Sequence, residues 1–223
     1  VESSHRIIFH LPFTPNNKLD QDVFQINDNF SIYLKNHTVT VGTNNELYTF
    51  NNVFTQLFNG MYRYNSLADF YADASAATTA TTGPSSYTVQ YVASQGGPAG
   101  TAAKWSALQM GFYVQDEYTG IPNLKIIGGL RVDVPLYLTD LDQNNYINQL
   151  DFNGEQLRVG GWPEVKPLWS PRIGFNWDVT GDRSTQLRGG TGVLTGRVPF
   201  VWLSNAVNAN GLYFGEFNST SVP

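Results

Sequence analysis

The chain has 223 residues, of which 14% are charged and 14% aromatic, with 21 asparagines beside 21 glycines. It is poor in charge against the roughly 25% of a typical soluble domain. Prolines and Gly-, Asn- and Asp-rich clusters interrupt every apolar run, which excludes a spanning helix of about 20 apolar residues but leaves room for spanning strands of about 9 to 11. A net charge of -5, with no concentrated basic patch, argues against a nucleic-acid groove. The absence of cysteine removes thiol catalysis, thiolate metal sites and a disulfide framework. Val1 opens the chain without a basic start and apolar core, so a mature product or a piece of something longer is expected.

Taken in order, residues 24–34 set Ile26, Phe30, Ile32 and Leu34 against Gln25, Asn27, Asn29, Ser31 and Tyr33, with Asp28 the exception. This period of two predicts a strand. Residues 35–37 reverse the chain, and 38–49 alternates again, with Val39, Val41 and Leu47 opposite Thr38, Thr40, Asn44 and Glu46. Together they predict a hairpin. Residues 51–104 break the pattern. Ser66 ahead of Leu67, Ala68, Phe70 and Tyr71 predicts a short capped helix, and the Ala, Thr, Ser and Gly that follow predict a long surface loop.

Alternation then returns. Leu108, Met110, Phe112 and Val114 oppose Gln109, Gly111, Tyr113 and Gln115; after a turn at 118–123, Leu124, Ile126, Leu130 and Val132 oppose Lys125, Ile127, Gly129, Arg131 and Asp133. A long polar connection over 134–168 precedes a strand that sets Ile173, Phe175, Trp177 and Val179 against Arg172, Gly174, Asn176 and Asp178. Residues 180–183 turn the chain into a last clear strand over 185–194, with Leu187 and Val193 opposite Gln186, Arg188, Gly190 and Gly192.

Short and long connections thus alternate, which is the arrangement of short periplasmic turns and long extracellular loops in outer-membrane barrels. The polar face carries Arg131, Asp133, Arg172, Asn176, Asp178 and Arg188, a wall of both signs suited to a water-filled or plugged lumen. Trp105 and Trp169 at the long-loop ends, with Tyr118 and Trp177 near the short-turn ends, predict two interfacial aromatic belts. Periodicity alone fits a soluble antiparallel sandwich equally well. The loop alternation and the scarcity of lysine favour the membrane. The expected fold class is therefore all-β, an antiparallel transmembrane β-barrel segment.

The run 169–205, WSPRIGFNWDVTGDRSTQLRGGTGVLTGRVPFVWLSN, with GFYVQDEY at 111–118 and GLRVDVP at 129–135, resembles the barrel of TonB-dependent outer-membrane receptors. The likeness is to the Oar-like, carboxypeptidase-regulatory-domain-containing branch common in Bacteroidota. It is dense over about 105–205 and looser over 24–70. The resemblance implies a barrel of about 22 strands closed around a plug, energised by a TonB protein. It carries with it residence in the outer membrane of a Gram-negative bacterium. Neither a TonB box nor a plug-like segment nor a terminal aromatic strand is visible before Ser221, Val222 and Pro223. Residues 1–223 are therefore expected to be part of one barrel domain, a fragment of a longer receptor whose plug and N-terminal domain are absent.

Several candidate sites stand beside plainer readings. Gly189, Gly190, Gly192 and Gly196 resemble a phosphate loop, but they lie within an alternating strand and lack the following helix, so a bend or close contact explains them better. Asp140, Asp142, Asn144, Tyr146, Asn148 and Asp151 have the spacing of a calcium-binding EF-hand loop, with Asn145 where glycine belongs; a solvated Asx-rich loop is the plainer reading and any metal is left open. His5, His10 and His37 lie apart, and no GxSxG elbow occurs, so catalysis finds no positive support. The run 197–203, with Arg197, Phe200 and Trp202, is either an exposed partner surface or an extracellular loop folded back over the barrel mouth.

The expected function is energised solute uptake or surface export without catalysis. Expected partners are TonB, the receptor's own plug, outer-membrane lipid and an unknown substrate. The alternative is a secreted sandwich binding module, with Trp105, Trp162, Trp169 and Trp202 stacking on carbohydrate.

Overall fold

The computed structural model describes residues 12–75, 83–93, 102–197 and 199–220; His5, His10, Val198 and residues 221–223 lie outside them, as does much of the low-complexity tract. Six long strands form one antiparallel sheet: β1 (Asn16–Tyr33), β2 (His37–Thr55), β5 (Ala103–Ile121), β6 (Leu124–Tyr137), β7 (Leu168–Asp178) and β8 (Gln186–Gly192), hydrogen-bonded in that order. The three short strands β3 (Met61–Arg63), β4 (Ser86–Val92) and β9 (Phe214–Ser219) make a second sheet in the order β3-β4-β9. Among the described residues three helices lie in the connections: α1 (Leu67–Ser75), α2 (Asn145–Asn148) and α3 (Phe200–Asn208).

The register carries each strand's alternation across the whole large sheet. Phe30 faces Val41, Val41 faces Val114, Val114 faces Leu130, and Leu130 faces Pro171, so one row of apolar side chains crosses five strands. None of the described residues covers that face: Phe30 is 64% exposed, Ile173 57% and Trp169 56%. A soluble monomer does not leave so continuous an apolar surface in water. A sandwich would lay a second sheet on it, and the second sheet here stands instead among the long connections at the strand ends. The sandwich alternative is thereby corrected: the outward stripes face lipid. The large sheet is open, with β1 and β8 as its edges.

Several boundaries differ from the sequence expectation: β5 runs from Ala103 to Ile121, into the turn expected over 118–123, and β6 to Tyr137, into the connection expected over 134–168. β1 begins at Asn16, and β2 continues to Thr55, paired with it residue by residue. Lys18, Asp20 and Asp22 share the outward parity of Ile26 and Phe30. Beyond the hydrocarbon that parity is free to be charged, so apolar alternation stops while backbone pairing goes on. The connection expected over 51–104 is likewise shorter and partly built, holding β3, α1 and β4. The Ser66 Oγ accepts the Asp69 N–H at 3.1 Å, capping α1 as its sequence predicts.

Each short turn has its own chemistry. Pro122 and Asn123 (φ 62°) link Ile121 to Leu124, the proline fixing φ and the asparagine tolerating the left-handed region. In the β7–β8 turn the Asp178 carboxylate accepts the N–H groups of Gly181 and Arg183 at 3.0 Å, and both of those residues have positive φ. Asp182 accepts the Ser184 N–H at 2.9 Å and the Thr180 hydroxyl at 2.5 Å. Hydrogen bonds from Ser184 and then Thr180 pull its carboxyl down from 3.8 to about 2. A carboxyl depressed by folding contributes stability that is present above its unfolded value and is lost as pH falls through the folded one. The turn is expected to hold at neutral pH and to loosen between 3.8 and about 2, measured as faster exchange of the Ser184 amide.

Candidate functional site: the inner wall and its mouth

Arg131, Asp133, Arg172, Asn176, Asp178 and Arg188 all share the face opposite the lipid-facing row. Their side chains lie along the wall. Arg131 donates to Asp133 through both Nε (2.8 Å) and Nη2 (2.7 Å). Arg172 reaches across β6 to Gln115 on β5 at 3.2 Å, and Arg188 bonds Asn176 (3.3 Å) and Gln186 (2.6 Å). Asp178 occupies the rim, where its oxygens hold the β7–β8 turn.

Glycines make this flattening possible. A Cβ at Gly42 would meet the Tyr113 ring and Asn29 at 2.5 Å, because Tyr113 arches over Gly42 to donate its hydroxyl to Asn29. Arg131 lies in the same manner over Gly111, and a Cβ at Gly129 would come within 3.4 Å of the Arg172 Nε. Three successive long side chains thus lean toward β1, each over a glycine of the preceding strand, and the Arg131 guanidinium sits 5.9 Å from the Tyr113 ring centroid. Glycine leaves room for these side chains, tightly at Gly42 under the Tyr113 ring and least so at Gly129. Gly111→Val is expected to push Arg131 off Asp133 and to cost about 1–3 kcal/mol, read as a lower denaturation midpoint of the barrel protein. Gly128→Val, where a Cβ meets nothing within 4 Å, is the neutral comparison.

Near the long-loop ends the same face turns aromatic. Tyr48, Phe50, Ala103, Trp105 and Ala107 form a buried cluster joined by Phe200, Leu203 and Val207 of α3 and by Tyr137 and Trp162. Phe50 stacks on Trp105 at 4.5 Å, and the Trp105 Nε1 donates to the Ser204 Oγ at 3.0 Å. Trp105 is 2% exposed on the inner face, which corrects its expected place in a lipid-facing belt. Its odd parity on β5, shared with Tyr113 and opposite to Phe112, was legible; the helix that buries it was not. Trp169 and Trp177 do stand on the outward face, eight positions apart on β7.

The run 197–203 divides accordingly. The segment after β8 returns across the inner wall: the Thr195 and Ser170 hydroxyls bond at 2.6 Å, and Arg197 Nη2 donates to Glu46 Oε1 at 2.6 Å. Glu46, 5% exposed, also accepts the Tyr48 hydroxyl at 2.5 Å. Phe200 packs on Tyr48, Phe50 and Trp105, whereas Trp202 remains 69% exposed. Of the two expectations, the folded-back loop describes Arg197 and Phe200, and the exposed surface describes Trp202. Sequence reasoning missed the Glu46–Arg197 pair, which spans 151 positions.

The EF-hand-like spacing does not converge on a cation. Asp142 accepts the Tyr213 hydroxyl, Asn144 donates to Asn210 O at 2.9 Å, Asn148 brackets Val159 with bonds of 2.7 and 3.2 Å, and Asp151 accepts the Gly154 N–H at 2.5 Å. These four side chains each brace a different stretch of chain, Asn144 capping and Asn148 ending the short α2, and the calcium reading gives way to a braced loop.

A charged inner wall, an apolar outer face and alternating short turns and long loops define a transmembrane β-barrel wall of the outer-membrane type. Residues 8–222 match the family model described as outer membrane beta barrel domain, and the chain belongs to that family. It resides in the outer membrane of a Gram-negative bacterium. No curated protein and no solved structure matches it.

Proposed function

We propose that this wall belongs to a TonB-dependent receptor of the Oar-like kind, moving a solute across the outer membrane without catalysis. The receptor's own plug and a TonB protein are its partners, and the direction is energised uptake or surface export. The observation that carries the reading is the flattened inner wall. A small closed barrel fills its interior with its own side chains. Here Tyr113, Arg131 and Arg172 lie along the sheet on glycine platforms, which suits a wide lumen occupied by a separate body such as a plug. Strands of 18 and 19 residues, longer than the roughly 9–11 needed to span, suit the tall walls of a large receptor. The blocks at 111–118, 129–135 and 169–205 support the same branch.

The test is capture of the full-length receptor by the purified periplasmic domain of TonB from the same cell. Retention that is lost when the TonB gene product is replaced by an unrelated periplasmic protein supports the reading; no retention contradicts it. Arg172→Glu, which places an acid where the wall presents a cation, is expected to weaken plug seating and transport while leaving the barrel's heat-dependent gel shift intact.

A further inference from the structure

The inner mouth contains a cavity of about 590 Å³ between the β6–β7 connection and α3. Its lining is mostly apolar and includes Leu141, Trp162, Leu203 and Val207, with Arg158 the one charged residue. Another apolar hollow, beside Ile126, Ile173 and Phe175, lies on the outward face and is explained by lipid. That explanation fails for the mouth cavity, because Trp162, Leu203 and Val207 pack against the inner-face cluster around Trp105.

The walls are fixed in place. Trp162 donates its Nε1 to Thr139 O at 2.5 Å and stacks on Tyr137 at 4.7 Å with 7° between the planes. Asn148 holds both the N–H and the carbonyl of Val159, and Asn144 and Tyr213 tie the connection to the segment after α3. Gly160, at φ 89°, lies so close to the backbone of Asp142 that no Cβ fits, whereas a Cβ at Gly161 meets nothing within 4 Å. The Asx side chains with cation-like spacing are therefore the frame of this cavity. Its volume is in the range of small-molecule sites, roughly 300–1,000 Å³.

We infer that this cavity binds a small amphipathic anion, an aromatic or aliphatic body with one carboxylate-like head, as the recognition site for the transported solute. The body fills the Trp162–Leu203–Val207 hollow. The head meets Arg158, which has no hydrogen-bond or ion-pair partner among the described residues. Neutral sugars find few donors in such a lining, since the nearby polar side chains are already committed to the frame. As a step in solute movement this rests on the transport reading; as a binding site it does not.

The experiment uses the full-length receptor in lipid nanodiscs with 2-naphthoate, neutral 2-naphthamide and cationic 2-naphthylmethylamine, measured by calorimetry without TonB. Naphthoate is expected to bind at least about tenfold more tightly than the amide, with the amine weakest. Arg158→Gln is expected to erase the preference for the anion while leaving amide affinity in place. Gly161→Leu, which fills open space, is expected to weaken both ligands, and Ala206→Trp does the same from the helix side. No binding of naphthoate, equal binding of all three probes, or unchanged binding in both filling variants overturns the site. None of these readouts involves TonB, so a failed TonB capture leaves this result standing, and the reverse holds too.

Discussion

Trp105→Ala is expected to destabilise the mouth of the barrel by about 3–5 kcal/mol, the range for deleting a large buried aromatic. The indole is 2% exposed and touches rings on three elements: Phe50 on β2, Trp162 in the β6–β7 connection and Phe200 on α3. Removing it opens a cavity where these elements meet and leaves the Ser204 hydroxyl, 1% exposed, without the indole N–H. Trp105→Phe separates the two effects. It retains most of the packing and is expected to cost about 1–3 kcal/mol, largely from the lost hydrogen bond and the smaller ring. Guanidinium unfolding of the barrel protein gives the total. Limited proteolysis locates the damage: cleavage is expected to rise first in 138–167 and around α3, with the six-strand wall still protected.

Ile173→Arg is expected to cost about 2–4 kcal/mol, the value for a cationic side chain near the bilayer midplane of a barrel. Ile173 lies midway along β7 between Trp169 and Trp177 and is 57% exposed on the outward face. The paired substitution is Ser31→Arg on the inner face, where the neighbour is the Thr40 hydroxyl at 2.9 Å and the environment is polar. That change is expected to stay within about 0.5–1 kcal/mol. The difference between the two variants, measured as unfolding free energy in the same lipid, isolates the facing of the strand from the mere addition of charge. Equal costs contradict the outward assignment of Ile173.

The wall was legible in the sequence because one physical rule governs it. Each strand separates lipid from lumen, so Ile173, Phe175 and Trp177 must alternate with Arg172, Gly174 and Asn176, and the pattern survives without knowledge of neighbours. The mouth was not legible, because contacts there join distant positions with no period. Glu46 reads as an isolated carboxylate until Arg197 arrives from the far edge of the sheet. Trp105 reads as a belt residue until α3 is laid over it. Asp142, Asn144 and Asn148 read as a solvated Asx-rich loop with the spacing of a ligand set, since spacing alone does not tell a converging set of oxygens from side chains that each brace a different stretch of chain. The glycines are an intermediate case. Gly42, Gly111 and Gly129 are ordinary in sequence, and their meaning appears only when the register sets Tyr113, Arg131 and Arg172 over them.

β7 separates lipid from the barrel interior, side chain by side chain. Residues 1–223 contain no cysteine, so single spin labels can be placed at each position from 170 to 177 of the barrel in bilayers, with any cysteine outside them replaced. Collision rates with oxygen and with a water-soluble nickel chelate then report the surroundings of each label. The predicted result is a period of two, with oxygen dominant at 171, 173, 175 and 177 and minimal at 170, 172, 174 and 176. A uniform profile, or oxygen maxima at the even positions, would contradict the barrel wall described here.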